Sequence, residues 1–171
     1  MIGPHLVYFA DPMCSWCWGF SPVVEAIDQR FGDRLAVHLV LGGLRPGTRT
    51  PMGALEREEI RHHWTHVREA SGQPFDFTFF ERADFVYDTE PASRAVVVMR
   101  RRSAADGLAG LRLTQRAFYA ENRDVTDPQV LCALAGELGF DGYVLVTQGY
   151  QPSGRVLQTL ERWLDTIRSV R

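Results

Sequence analysis

The tetrapeptide Cys14-Ser15-Trp16-Cys17 constrains this chain more than any other feature, because it stands where a strand-like run meets a helix-like run. His5–Ala10 (H-L-V-Y-F-A) is rich in β-branched and aromatic residues, and Asp11-Pro12 ends it. A helix is expected to start near Cys14 and run to about Phe31, where Gly32-Asp33 closes it. Asp11 and Ser15 are both plausible caps for that helix, and Pro22 falls inside it, where a kink is expected. Residues 35–41 (L-A-V-H-L-V-L) read as a second buried strand. The order is strand, CxxC, helix, strand, with a connection long enough for a right-handed crossover between parallel strands.

Gly42-Gly43-Leu44-Arg45-Pro46-Gly47 reads as a loop that leaves the sheet. From about residue 52 to residue 139 the pattern is mostly helical. Leu55, Ile60, Trp64 and Val67 recur at helical spacing, 73–80 is an aromatic loop, and Thr89-Glu90-Pro91 starts a helix through Met99. Leu108, Leu111, Ala117 and Phe118 mark another helix, and Asp127-Pro128 begins a third that Gly139 stops. Residues 142–150 read as a strand. Ser153 then caps a last helix with the apolar stripe Val156, Leu157, Leu160, Trp163, Leu164 and Ile167. At 171 residues the chain suits one α/β domain, with the sheet part in 1–51 and 140–171 and a helical insertion in 52–139.

The net charge of −2 gives no reason to expect nucleic acid or an anionic membrane as partner. Arg100-Arg101-Arg102 is expected to be a solvated helix end. No apolar run approaches the roughly 20 residues needed to cross a bilayer. Met-Ile-Gly-Pro-His lacks the basic region, apolar core and cleavage site of a signal peptide, so the expected compartment is the cytoplasm. Three cysteines are too few for a secreted disulfide scaffold, and two of them sit in the CxxC.

A disulfide exchanger needs a thiolate, a second thiol within bonding distance, and access for a partner's sulfur. The amides and dipole at a helix N-terminus stabilise a thiolate. Cys14 is therefore the expected nucleophile, and Cys17, one turn inside and more buried, the expected resolving thiol. Ser15 and Trp16 are expected to tune the redox poise. Trp16, Trp18 and Phe20 flank the pair. Pro12, Met13, Trp18 and Phe20 are candidates for a substrate surface. The alternative is half of a zinc site, completed by His62, His63 and His66 or by His5 and His38, but no H-E-x-x-H arrangement occurs. No metal and no cofactor beyond a Cys14–Cys17 disulfide is expected. Cys132, on an apolar helix, is expected to be a buried, inert thiol. A CxxC that follows a strand and opens a βαβ pattern reads as thioredoxin-like.

The segment Asp11-Pro12-Met13-Cys14-Ser15-Trp16-Cys17-Trp18-Gly19-Phe20 resembles the DsbA-like thioredoxin-fold family, in particular its cytosolic branch of predicted protein-disulfide isomerases. So do Gly42-Gly43-Leu44-Arg45-Pro46-Gly47, the run from Ile60-Arg61-His62-His63-Trp64 to Gly72-Gln73-Pro74-Phe75, Thr89-Glu90-Pro91-Ala92, the run Glu121-Asn122-Arg123-Asp124-Val125-Thr126-Asp127-Pro128, and Thr147-Gln148-Gly149-Tyr150. The resemblance covers nearly the whole chain. It implies a thioredoxin-like fold with a helical insertion and thiol–disulfide exchange at Cys14 and Cys17. The implied partners are protein thiols or small thiols such as glutathione. That family carries a cis-proline loop facing the CxxC, whereas no proline occurs here between Pro128 and Pro152. An incomplete central sheet is expected on that ground, with an edge open to a second copy of the chain. Two other functions compete with the first. One is a glutathione-dependent transferase or isomerase like the kappa-type relatives, which generally carry serine where Cys14 stands. The other is a degenerate interaction domain without turnover.

Overall fold

The computed structural model of the chain describes residues 3–141. The strand expected over 142–150 and the last helix with its stripe lie outside the described residues. β1 (His5–Ala10), α1 (Ser15–Phe31) and β2 (Ala36–Leu41) follow in that order. The strands pair in parallel, in register from His5 opposite Ala36 to Ala10 opposite Leu41. Parallel neighbours need a crossover, and α1 supplies it. Among the described residues the sheet has these two strands.

The chain continues as α2 (Ala54–Ser71), a 3-10 turn (Phe77–Glu81), α3 (Glu90–Arg102), α4 (Ala104–Tyr119) and α5 (Pro128–Glu137). Side chains cap three of these segments. Asp76 accepts from the Thr78 amide, Ser103 from that of Asp106, and Asp127 from that of Gln129. Gly139, at φ 72°, turns the chain out of α5 in the left-handed region that glycine tolerates.

Two apolar clusters hold these layers. The smaller lies on the sheet, where Ala10, Leu39 and Leu41 pack against Val96 of α3 and Leu111 of α4. The larger lies among the helices and centres on Trp64, which is 1% exposed. Phe75, Phe77, Phe79, Phe80, Phe118 and Tyr119 surround its ring at centroid distances of 4.8 to 6.1 Å. The aromatic segment after α2 is a loop that ends in a 3-10 turn, and its rings pack on the core. Two arginines of α2 stack on its rim, the half-buried Arg61 over Phe80 and the exposed Arg68 over Phe77.

Several local expectations need correction. Leu55 is 84% exposed, so the apolar stripe of α2 runs through Ile60, Trp64 and Val67 alone. Arg100 is not simply solvated, since its guanidinium donates to the Leu39 carbonyl of β2. Arg102 does sit at an exposed helix end, held to Asp106 one turn on. Cys132 is half-buried rather than buried. α1 is continuous across Pro22. Proline has no amide hydrogen to donate to the carbonyl four residues back, which here belongs to Trp18. Gln73 Nε2 reaches that carbonyl instead, at 3.4 Å, and also donates to Ser21 Oγ at 3.1 Å. The bond lost to proline becomes a tie between α1 and the helical layer.

Candidate active site

Cys14 is the N-cap of α1, with φ −96° and ψ 115°, and neither Asp11 nor Ser15 caps the helix. The first helical bond runs from the Trp18 amide to the Cys14 carbonyl at 3.1 Å. The amides that follow Cys14 have no helical partner of their own, so they are free to face its sulfur. Cys14 is pushed down to about 7. The largest cause is a hydrogen bond from the Cys17 thiol, and the amides of Cys17 and Trp16 add to it. Burial and the negative charge of Asp11 act against this and are outweighed.

Cys17 is raised far in the opposite sense, first by its bond to Cys14, then by burial, then by the charge on Cys14. Depth does not separate the two sulfurs, because both cysteines are half-buried. What separates them is position along the helix. One sulfur collects the amides, and the other donates to the first. Neither is in a disulfide in this structure. The sign of the pH dependence follows. An ordinary thiol, near 9.0, stays protonated at neutrality, whereas Cys14 is about half ionised at pH 7. Alkylation of Cys14 by iodoacetamide is therefore expected to fall about tenfold per unit below pH 7 and to level off above pH 8. An inflection near 9 contradicts this.

The pair is anchored to the helical layer through its neighbours. Asp11 is 4% exposed and bridges two loops. Its Oδ1 accepts from the Met13 amide at 2.8 Å and its Oδ2 from the Leu44 amide at 2.7 Å. Removing that carboxylate leaves both amides without a partner. Asp11→Ala is thus expected to cost about 2 kcal/mol or more in denaturant unfolding, and an unchanged midpoint contradicts the bridge.

Met13 is 0% exposed and its carbonyl accepts from the buried Tyr87 hydroxyl at 2.7 Å. Trp18 is 3% exposed, donates from Nε1 to the Pro74 carbonyl at 3.0 Å, and stacks on Tyr119. At Gly19 there is no room for a side chain, since an added Cβ would lie 2.7 Å from Val67 Cγ1 of α2.

These contacts correct part of the expected substrate surface. Pro12, Met13 and Trp18 are buried, because they key the CxxC segment into the helical core. Trp16 and Phe20 remain, 55% and 47% exposed, with Val23 one further turn along α1 at 46%. Spacing of four and three residues puts Trp16, Phe20 and Val23 on one face of α1. Ser15 is half-buried.

His62, His63 and His66 lie on exposed positions of α2, the first and last with ring centroids 5.7 Å apart. His5 and His38 meet edge to face across the two strands. Sequence reasoning missed Tyr87 and Gln73. Tyr87 carries no local signal, whereas Gln73 was detectable only as the partner that a proline inside α1 demands.

Comparison with known proteins agrees with this geometry. The sequence profile of the DSBA-like thioredoxin domain matches residues 5–153. The cytosolic disulfide reductase DsbM from Pseudomonas aeruginosa superposes with a TM-score of 0.78 at 29% identity, covering 95% of this chain and 79% of that one. A candidate protein disulfide isomerase from Nitrosomonas europaea superposes with a TM-score of 0.76 at 33% identity, covering 96% of this chain and 99% of that one. The ClpXP adapter protein SpxH of Halalkalibacterium halodurans is 23% identical over 137 residues, covering 78% of this chain and 44% of the adapter. That of Shouchella clausii is 22% identical over 169 residues, covering 93% of this chain and 54% of the adapter, so the chain spans about half the length of these relatives. With a parallel β–CxxC–α–β unit carrying an added helical layer, and with the profile match over most of its length, the chain belongs to the DSBA-like thioredoxin domain family.

Proposed function

We propose that the chain is a cytoplasmic thiol–disulfide oxidoreductase. One observation carries this reading: the Cys14 sulfur stands at the mouth of α1, where the Cys17 thiol and the amides of Trp16 and Cys17 hydrogen-bond to it. The Cys14 thiolate attacks one sulfur of a substrate disulfide and releases the other as a thiolate. Cys17 then attacks Cys14, frees the second substrate sulfur, and leaves a Cys14–Cys17 disulfide. The substrate disulfide gains two electrons and the pair loses them. The reverse sequence oxidises a dithiol, and neither direction needs a metal or a further cofactor.

The exposed face of Trp16, Phe20 and Val23 suits a partly folded polypeptide with apolar side chains. Small thiols are the second substrate class, supported by the structure of DsbM with GSH. The deciding assay is reduction of insulin by dithiothreitol, run beside glutathione conjugation to a model electrophile. Faster insulin precipitation without conjugation is expected. Conjugation without insulin reduction points to the glutathione-dependent relatives instead.

The likeness to SpxH favours a second reading, an interaction domain that binds a protein without turnover. An alkylatable Cys14 with no effect on insulin supports that reading against the first.

A further inference from the structure

The peptide group that joins Met13 to Cys14 is held at both of its polar ends. Its carbonyl accepts from the Tyr87 hydroxyl at 2.7 Å, and its N–H, that of Cys14, donates to the Asp11 carbonyl at 3.1 Å. The Met13 side chain is buried and the Met13 amide is bound to Asp11 Oδ1, so the rest of that residue is fixed as well.

This peptide plane governs where the Cys14 sulfur stands. Cys14 has the extended backbone of an N-cap, φ −96° and ψ 115°, and φ is the rotation about the bond that leaves the plane. Its sulfur accepts from the amides of Trp16 and Cys17. Hydrogen bonds weaken steeply once donor and acceptor are misaligned, so a turn of the plane carries the sulfur off those amides. Of the four bonds that hold the segment, the one from Tyr87 is the one made by a side chain from another part of the chain to this plane. Without it the Met13 carbonyl is a buried acceptor lacking its donor, and the plane gains by turning toward another.

Tyr87 is itself held in place. The Arg45 guanidinium lies over its ring at 5.3 Å, and Arg45 is paired with Glu56 of α2 and bound through its amide to Thr89 Oγ1. Burial keeps the Tyr87 hydroxyl protonated well beyond the usual tyrosine range, so it remains a donor wherever Cys14 titrates. The hydroxyl of Tyr119, the second buried phenol, meets that of Tyr87 at 3.5 Å.

We propose that Tyr87 is a positioning residue for the exchange reaction, its hydroxyl fixing the Met13–Cys14 peptide plane and through it the place of the Cys14 sulfur at the mouth of α1. The inference rests on the reading of Cys14 as the attacking thiol. Tyr87 acts through the backbone rather than on the substrate. The titratable and charged groups that face this arrangement are Tyr8 of β1, Asp11, Cys17 of α1, Tyr119 of α4, and Arg45 with its partner Glu56. All of them are common to the unmutated protein and to Tyr87→Phe, so their charges do not separate the two.

The test is the pH profile of iodoacetamide alkylation, read on the Cys14 peptide by mass spectrometry. Tyr87→Phe keeps the ring and removes the donor. Its inflection is expected to rise by about one pH unit, which slows alkylation at pH 7 about fivefold and leaves the alkaline plateau unchanged. Tyr87→4-aminophenylalanine supplies a donor again and should bring the inflection back. Tyr119→Phe removes the neighbouring hydroxyl and should lower the unfolding midpoint without moving the inflection. An unshifted profile in Tyr87→Phe, a shift that 4-aminophenylalanine does not reverse, or an equal shift in Tyr119→Phe overturns the positioning role. An inflection near 9 in the unmutated protein overturns instead the reading of Cys14 on which it rests. Should Tyr87→Phe fail to fold by circular dichroism, 4-aminophenylalanine and 4-fluorophenylalanine at position 87 decide, and identical inflections in those two overturn the role.

Discussion

Cys14→Ser is expected to bring insulin reduction down by about a hundredfold or more, to the rate of dithiothreitol alone. A serine hydroxyl does not ionise near neutrality, so the amides at the mouth of α1 have no anion to stabilise. Cys17→Ser is expected to lose turnover as well, by a different route. Cys14 still attacks, but nothing resolves the product, so a covalent adduct with the substrate thiol accumulates and is released by excess reductant. Mass spectrometry of the trapped species reads this directly. Full activity in Cys14→Ser removes the mechanism, and a Cys17→Ser protein that traps no partner removes the resolving role. The two variants differ although both cysteines are half-buried, because only Cys14 stands where the helix amides converge.

The largest expected effect on stability comes from Trp64→Ala. The indole is 1% exposed and touches rings from the segment after α2 and from α4. The cost is expected at about 3–5 kcal/mol, against about 5–15 kcal/mol for a whole domain. Denaturant unfolding should show the midpoint falling by a large fraction. Leu55→Ala on the same helix is the control, because at 84% exposure it should change stability by no more than about 0.5 kcal/mol. Comparable losses in both variants contradict the assignment of Trp64 as the centre of the helical core. The Trp64 variant should also loosen the site, since Val67 and the Gln73–Pro74 ties belong to the same region.

Much of the frame was legible from local pattern. The β1 run has the composition of a strand, although only Ala10 of it is buried, the CxxC follows it closely, and Pro128 and Gly139 bracket α5 as helix-end chemistry dictates. These signals are short-range, so a window of a few residues contains them. The surroundings of the site were not legible in that way. Pro12, Met13 and Trp18 looked like surface because they are apolar neighbours of a reactive pair, yet they are buried. Leu55 looked like core because it keeps helical spacing, yet the stripe it joins turns to solvent there.

By itself the sequence determined which atoms can do chemistry: two sulfurs one helical turn apart, at the start of a helix, behind a strand. Only the tertiary structure decided what surrounds them. The partners that anchor the segment come from Asp11, Tyr87, Gln73 and the Leu44 amide, up to 74 residues away along the chain. Burial and hydrogen bonding across such separations depend on how layers pack, and no local spacing encodes that.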